Sequence, residues 1–375
     1  MKRLFCFLVV TFIVAGAAVN AQEVVSTGEE QTLTSDEGVT NEENGDWVPA
    51  ISLDTRFGYE RTISGNSAGF GGDGLFLNID GKISKHFSYS LCQRLFESNG
   101  EDVSVFDATD VLTLAYNVGG FTFSAGKDYV ILGSWEYDTY DWDAYFDMCS
   151  MFYNSFEGRH WGLTGSWTNK SETSTFLFQV SNSPFSESPK VSNLYAYGLG
   201  WQGAWDWYES YWTVNLWEDT PGTFVKNIAL GNAFYIGNAS ITADLMMRGA
   251  TLRNITDDMS VTVMPAYEFG DRVRLFGKFG WERLSMNCFG DEPMGETAFD
   301  ESGAVMPDFL ISGDDYLFYG AGLEYFPLKE NKSIRLHAVW SSNNYTKRHA
   351  INVGLTWKFD VVGTISRIVN KNKNK

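Results

Sequence analysis

Ile51-Ser52-Leu53-Asp54-Thr55-Arg56-Phe57-Gly58-Tyr59-Glu60 decides the fold. Ile51, Leu53, Thr55, Phe57 and Tyr59 alternate with Ser52, Asp54, Arg56, Gly58 and Glu60. Strict alternation has no counterpart in a 3.6-residue period, so the stretch is a strand with one apolar and one polar face. The pattern recurs along the chain. Leu75, Leu77 and Ile79 oppose Phe76, Asn78 and Asp80; Phe87, Tyr89 and Leu91 oppose Ser88, Ser90 and Cys92. Leu112, Leu114 and Tyr116 oppose Thr113, Ala115 and Asn117, and Phe121, Phe123 and Ala125 oppose Thr122, Ser124 and Gly126. Similar runs continue to residue 359, about sixteen in all and roughly ten residues each, the length a tilted strand needs to cross a bilayer. The run at 228–236 alternates poorly and its facing is left open.

The connections alternate as well. Short ones at 81–86, 117–120, 169–172, 204–206, 237–238, 270–271 and 327–332 trade places with long ones at 63–74, 98–110, 126–159, 182–192, 218–222, 248–258, 286–314 and 341–348. Tight turns on one side and long loops on the other are the asymmetry of an outer-membrane barrel. Aromatics gather near both ends of the runs, as two interfacial belts would. A soluble sandwich also alternates, but its strands are shorter and its large rings would not recur at both ends. The predicted fold is therefore all-β: a transmembrane antiparallel barrel of about sixteen strands over residues 47–359, facing outer-membrane lipids.

Lys2 and Arg3, an apolar core at 4–14 and small residues at 15–21 read as a secretory signal peptide over residues 1–21. Residues 22–46, rich in Glu, Ser, Thr, Asn and Gly, read as a disordered acidic periplasmic leader. Residues 360–375 read as a basic C-terminal tail, and the aromatic end of the last strand, Phe359, as the signal for the barrel-assembly machinery. Formal charge is −19, and loss of Lys2 and Arg3 leaves 26 basic against 47 acidic residues, or −21. That balance argues against nucleic acid as a partner. Cys92, Cys149 and Cys288 make no disulfide framework and show no metal-ligand spacing. No cofactor is expected.

The segment 126–159 is acidic and aromatic at once. Asp128, Glu136, Asp138, Asp141, Asp143 and Asp147 are interleaved with Trp135, Tyr137, Tyr140, Trp142, Tyr145 and Phe146, and no Lys or Arg stands between 128 and 156. A solvent loop rarely carries so many large rings, so this third loop is expected to fold inside the wall and narrow a channel. Lys127, Asp128, Glu136, Asp138, Asp141, Asp143 and Asp147 are its candidate constriction residues. Alternation turns Asp54, Arg56, Asp80, Lys82, Arg94, Asp244, Arg248, Glu268, Arg272, Arg274, Lys278, Glu282, Glu324, Arg335, His337 and Lys358 toward the lumen. A charge on the lipid side at mid-membrane costs about 2–4 kcal/mol; many of these groups are expected to pair across strands. Four histidines, none beside a Ser and a carboxylate in a nucleophile arrangement, and no Gly-x-Ser-x-Gly elbow argue against an enzyme. The Asp138, Asp141, Asp143 cluster lacks the Gly and distal Glu of a calcium loop.

Two blocks carry a resemblance. Gly69-Phe70 with 75–95, and Phe106-Asp-Ala-Thr-Asp110 through Ser124-Ala-Gly-Lys127 and Glu136-Tyr-Asp138, resemble the phosphate-selective porin O and P family. The resemblance implies a sixteen-stranded homotrimeric porin with an inward third loop. It also implies constriction lysines and an arginine ladder. Arg56, Arg94, Arg272, Arg274 and Arg335 would supply part of the ladder, but Lys127 stands alone beside carboxylates. A fixed negative ring repels anions, so weak cation preference or little selectivity is expected instead of phosphate selectivity. The expected function is passive diffusion of small hydrophilic solutes or ions. The alternative is a non-conducting structural or surface-binding barrel.

Overall fold

The alternating runs become strands β1 (Ala50–Thr62), β2 (Ala68–Lys82), β3 (Phe87–Arg94) and β4 (Thr109–Val118). Next come β5 (Phe121–Tyr129), β6 (Arg159–Thr168), β7 (Ser174–Asn182) and β8 (Tyr195–Trp205). Then follow β9 (Tyr208–Thr220), β10 (Thr223–Ile236), β11 (Ala239–Gly249) and β12 (Asp258–Phe269). The last four are β13 (Val273–Arg283), β14 (Asp315–Tyr325), β15 (Ile334–Asn343) and β16 (His349–Asp360). One helical turn, α1 (Trp135–Asp138), lies between β5 and β6. In this computed structural model each strand pairs antiparallel with its sequence neighbours, and β1 pairs with β16 from Ser52↔Asp360 to Thr62↔Ala350, so sixteen strands close into a barrel. Closure leaves no strand edge, which a sheet inside lipid requires. The structure describes residues 48–63, 68–95, 105–106, 108–138, 145–146, 150, 156, 158–186, 193–256, 258–283, 315–328, 332–344, 347 and 349–365. The leader segments 1–21 and 22–46, and the tail beyond 365, lie outside them.

Period two assigns the faces. Phe57, Leu114, Leu163, Leu199, Val214, Phe279, Leu323 and Val353 are exposed on the outer face. Their strand neighbours Asp54, Arg56, Thr213, Asn215, Lys278, Glu282, Glu324 and His337 are buried on the inner one. The outer face is thus an apolar band with both aromatic belts. At the short turns Trp201 meets Trp212 at 5.0 Å and Tyr208 meets Phe234 at 5.1 Å; Tyr267 meets Phe269 at 4.6 Å. At the other end Tyr59 meets Phe70 at 5.1 Å and Trp340 meets Tyr319 at 5.7 Å.

Two connections differ from the sequence reading. The expected long loop 218–222 is a tight turn, because Glu218, Asp219 and Thr220 continue β9 and β10 starts at Thr223. The expected loop 63–74 is mostly strand: Ala68, Gly69, Phe70, Gly71 and Gly72 pair with Arg61, Glu60, Tyr59, Gly58 and Phe57. Glycine supplies no side chain for a periodicity to register, yet its backbone pairs like any other.

Candidate pore and the loop inside it

The third loop enters the barrel at Val130 and follows the inner wall. Ile131 N donates to Gln179 Oε1 of β7 at 3.0 Å, and the Gln179 amide returns a bond to Tyr129 O at 2.8 Å. Gly198 of β8 leaves room for the Ile131 side chain: a Cβ there would lie 2.7 Å from Ile131 Cγ1. Gly133 lies flat on β9 and β10, with its N–H donating to Thr213 Oγ1 at 2.8 Å. Val130 and Leu132 pack with Ala196, Trp217, Ala229, Met246, Tyr316 and Phe318 in a buried cluster inside the barrel. Tyr137, Phe156 and Phe185 extend that cluster.

Beyond Gly133 the bonds become charged. Asp244 of β11 accepts from Ser134 Oγ at 2.7 Å, from Glu136 N at 2.8 Å and from Trp135 N at 3.0 Å. Glu136, 1% exposed, forms an ion pair with Lys278 of β13. It also accepts from Thr262 Oγ1 of β12 at 3.1 Å and Ser150 N at 3.0 Å. Ser150 Oγ donates to Glu282 of β13. Tyr145 reaches the far side: its O–H donates to Glu324 Oε1 of β14 at 2.7 Å, and its ring stacks on His337 of β15 at 4.1 Å. The Arg56 guanidinium of β1 stands 5.7 Å over the same ring. Arg274 and Arg335 pair with Glu324 at 3.1 and 3.9 Å. Phe146 covers Gly320, where a Cβ would sit 2.5 Å from the ring. The described parts of the loop therefore contact wall strands β7 to β15, and β1 through Arg56.

The opposite wall is different. On β2 to β5 the inward Asn78, Asp80, Ser88, Ser90, Thr113 and Ser124 are half-buried, whereas Trp217, Ala229, Met246, Glu282 and Phe318 beneath the loop are fully buried. Cross-strand bonds link this open wall: Asn78 to Asp54 at 2.7 Å, Ser90 to Asp80, Asn117 to Ser88 at 3.1 Å and Thr122 to Asn117 at 2.8 Å. Lys358 sits across from Asp54 in register. This side is hydroxyl- and amide-rich, with charges of both signs.

The candidate residues separate into groups. Asp54, Arg56, Asp80, Asp244, Lys278, Glu324 and Arg335 stand on inward positions of β1, β2, β11, β13, β14 and β15. Arg94 shares Asp110 with Arg159, at 3.0 and 3.1 Å, and Arg248 pairs with Asp258 at 3.0 Å. Lys82 is exposed at the end of β2, and Arg272 belongs to the turn before β13, near Tyr325 O–H at 3.4 Å. Lys127 corrects the sequence reading. Its register partners are Leu112 and Trp161, on the face where Leu114 and Leu163 are exposed, and its ammonium donates to Phe106 O at 2.9 Å. Period two allows only one of Lys127 and Asp128 to point inward; Asp128, in register with His160, is the inward one. Glu136 is also corrected: its ion pair and burial make it a fastener of the loop instead of a charge in the passage. Asp138 closes α1 without a described side chain, and Asp141, Asp143 and Asp147 lie outside the described residues. Gln179, Thr213, Thr262 and Ser150 were missed. Their one signal was the weak alternation at 228–236, where the inward Ala229, Gly231 and Ala233 are small so that a backbone can lie on them.

The chain matches no family model and no curated protein sequence. Solved structures do match. A loop-deletion mutant of OmpT, an outer membrane protein of Vibrio cholerae, superposes with a TM-score of 0.59 at 12% identity, covering 84% of this chain and 99% of that one. Salmonella typhi OmpF in complex with daunomycin gives 0.57 at 12% identity over 85% and 99%. A mutant of Rh. blastica porin gives 0.52 at 14% over 83% and 100%. The fold is that of the outer-membrane porins. Like theirs, the barrel carries an apolar outer face. The narrower resemblance to the phosphate-selective porin O and P family finds no matching family model; the likeness is to porins in general.

Proposed function

We propose that the chain is a porin through which small hydrophilic solutes or ions diffuse passively, with the loop between β5 and β6 setting the width of the passage. The contrast between the two inner walls carries this reading. The wall under the loop is buried, while the inward side chains of β2 to β5 are polar and half-buried. A lumen lined by hydroxyls, amides and charges of both signs stays wet. Asp80 stands half-buried on the open side, and Glu136 is neutralised by Lys278. The acidic residues Asp138, Asp141, Asp143 and Asp147 are retained as proposed constriction charges, giving weak cation preference. Vibrio cholerae OmpT is described in a trimer form; with the sequence resemblance, this supports a homotrimer here.

The test is liposome swelling with the purified protein in sugars of increasing size, paired with reversal potentials under a KCl gradient. Swelling that falls with solute size supports the porin. No swelling from folded protein favours the non-conducting barrel. A strong anion preference would show that Arg56, Arg274 and Arg335 dominate the passage.

A further inference from the structure

Asp244 spends its carboxylate on the loop. It lies in the middle of β11, 1% exposed, and its three described bonds all come from residues 134–136, none from the wall. An inward carboxylate in a wet barrel would ordinarily face water at no cost; burying one is unfavourable unless its oxygens are satisfied. Here both oxygens are used, and the donors are a hydroxyl and two successive backbone N–H groups at the start of α1. Glu136, the next charged residue, is turned by that docking onto Lys278 and Thr262, which are also buried. The wall beneath offers Ala229, Gly231 and Ala233, so the loop backbone approaches closely. A Cβ on Gly231 would lie 3.1 Å from Asp244 Oδ1, Gly133 O and Trp135 Cδ1 alike.

We infer that Asp244 is a positioning residue: it clamps the loop at residues 134–136 and so fixes the bore of the passage. This rests on the porin reading for its consequence in conductance, but the clamp itself can be read without it. Bonds to a charged acceptor are strong enough that losing the set raises the undocked population of the loop at least about 100-fold. The barrel ladder is untouched, because Asp244 supplies the wall only with its backbone, paired to Gly231 and Thr262.

The experiment compares the full-length protein with Asp244→Asn, Asp244→Ala and, as an outward control on the same strand, Leu245→Ala. Open-channel noise in planar bilayers and hydrogen exchange of the peptide covering 130–138 are both read. The expected order is wild type quietest, then Asn, then Ala, with amide protection of 133–136 lost in the same order and Leu245→Ala matching wild type. If Asp244→Ala fails to insert, Asp244→Asn carries the comparison. Unchanged protection and noise in both Asp244 variants would overturn the clamp. A silent wild-type protein whose 133–136 amides still lose protection on substitution would keep the clamp and discard the porin.

Discussion

Replacing Gly133 by alanine tests whether the loop lies flat on the wall. The added Cβ would sit 2.5 Å from Tyr211 O, 2.7 Å from Ala229 O and 2.8 Å from Thr213 N. These are backbone atoms of two paired strands, so they do not move aside; the loop must rise by about 1 Å to reach ordinary contact. That rise stretches the 2.8 Å bond from Gly133 N to Thr213 Oγ1 beyond hydrogen-bond range. Overpacking costs about 1–3 kcal/mol, and the lost bond adds about 0.5–1.5 kcal/mol. The loop's docking thus weakens by roughly 2–4 kcal/mol on the same principles, while the strand ladder of the barrel is left intact. Chymotrypsin is the probe, since no Lys or Arg stands between 128 and 156 for trypsin to cut but aromatics abound. Cleavage within the loop should accelerate at least tenfold in Gly133→Ala. Cleavage at the wild-type rate, with the variant fully inserted, would refute the packing argument.

Tyr145→Phe removes one donor to the buried Glu324. A double-mutant cycle with Glu324→Gln, read by chemical unfolding, should give a coupling of about 1.5–3 kcal/mol; zero coupling would place the tyrosine elsewhere. Arg248→Ala takes the guanidinium from the buried Asp258. Unfolding from lipid vesicles should show a loss of about 3–5 kcal/mol, and an unchanged midpoint would contradict the buried pair. Leu163→Arg puts a charge on an outer position that is 60% exposed. Its cost in the bilayer should be about 2–4 kcal/mol, against almost none in detergent-free aqueous refolding if the face met water instead.

Much of the barrel was legible because lipid and water impose one rule on every strand. Ile51 to Glu60 shows it, and the register of β1 with β16 preserves it across the closure. The rule failed where a strand is packed on both faces. At 228–236 the inner residues are small and apolar because the loop backbone lies on them, so polarity no longer marks the face. Charge alone groups Lys127 with Asp128, although adjacent strand residues point apart. The folding of the loop toward the inside was readable from its rings. Its anchors were not: Thr213, Thr262 and Gln179 are ordinary polar wall residues until the loop is seen on them.

Cys92 offers the most direct view of the passage. It carries a thiol, is half-buried, and is in register with Asn78 and Val111 on the inner face of the open wall. In a Cys149→Ser, Cys288→Ser background, a charged, membrane-impermeant thiol reagent added to single open channels should react at Cys92 and lower the conductance stepwise. If Cys92 instead reacts only with a lipid-soluble maleimide, or is modified with no change in current, the polar face does not line a water-filled passage.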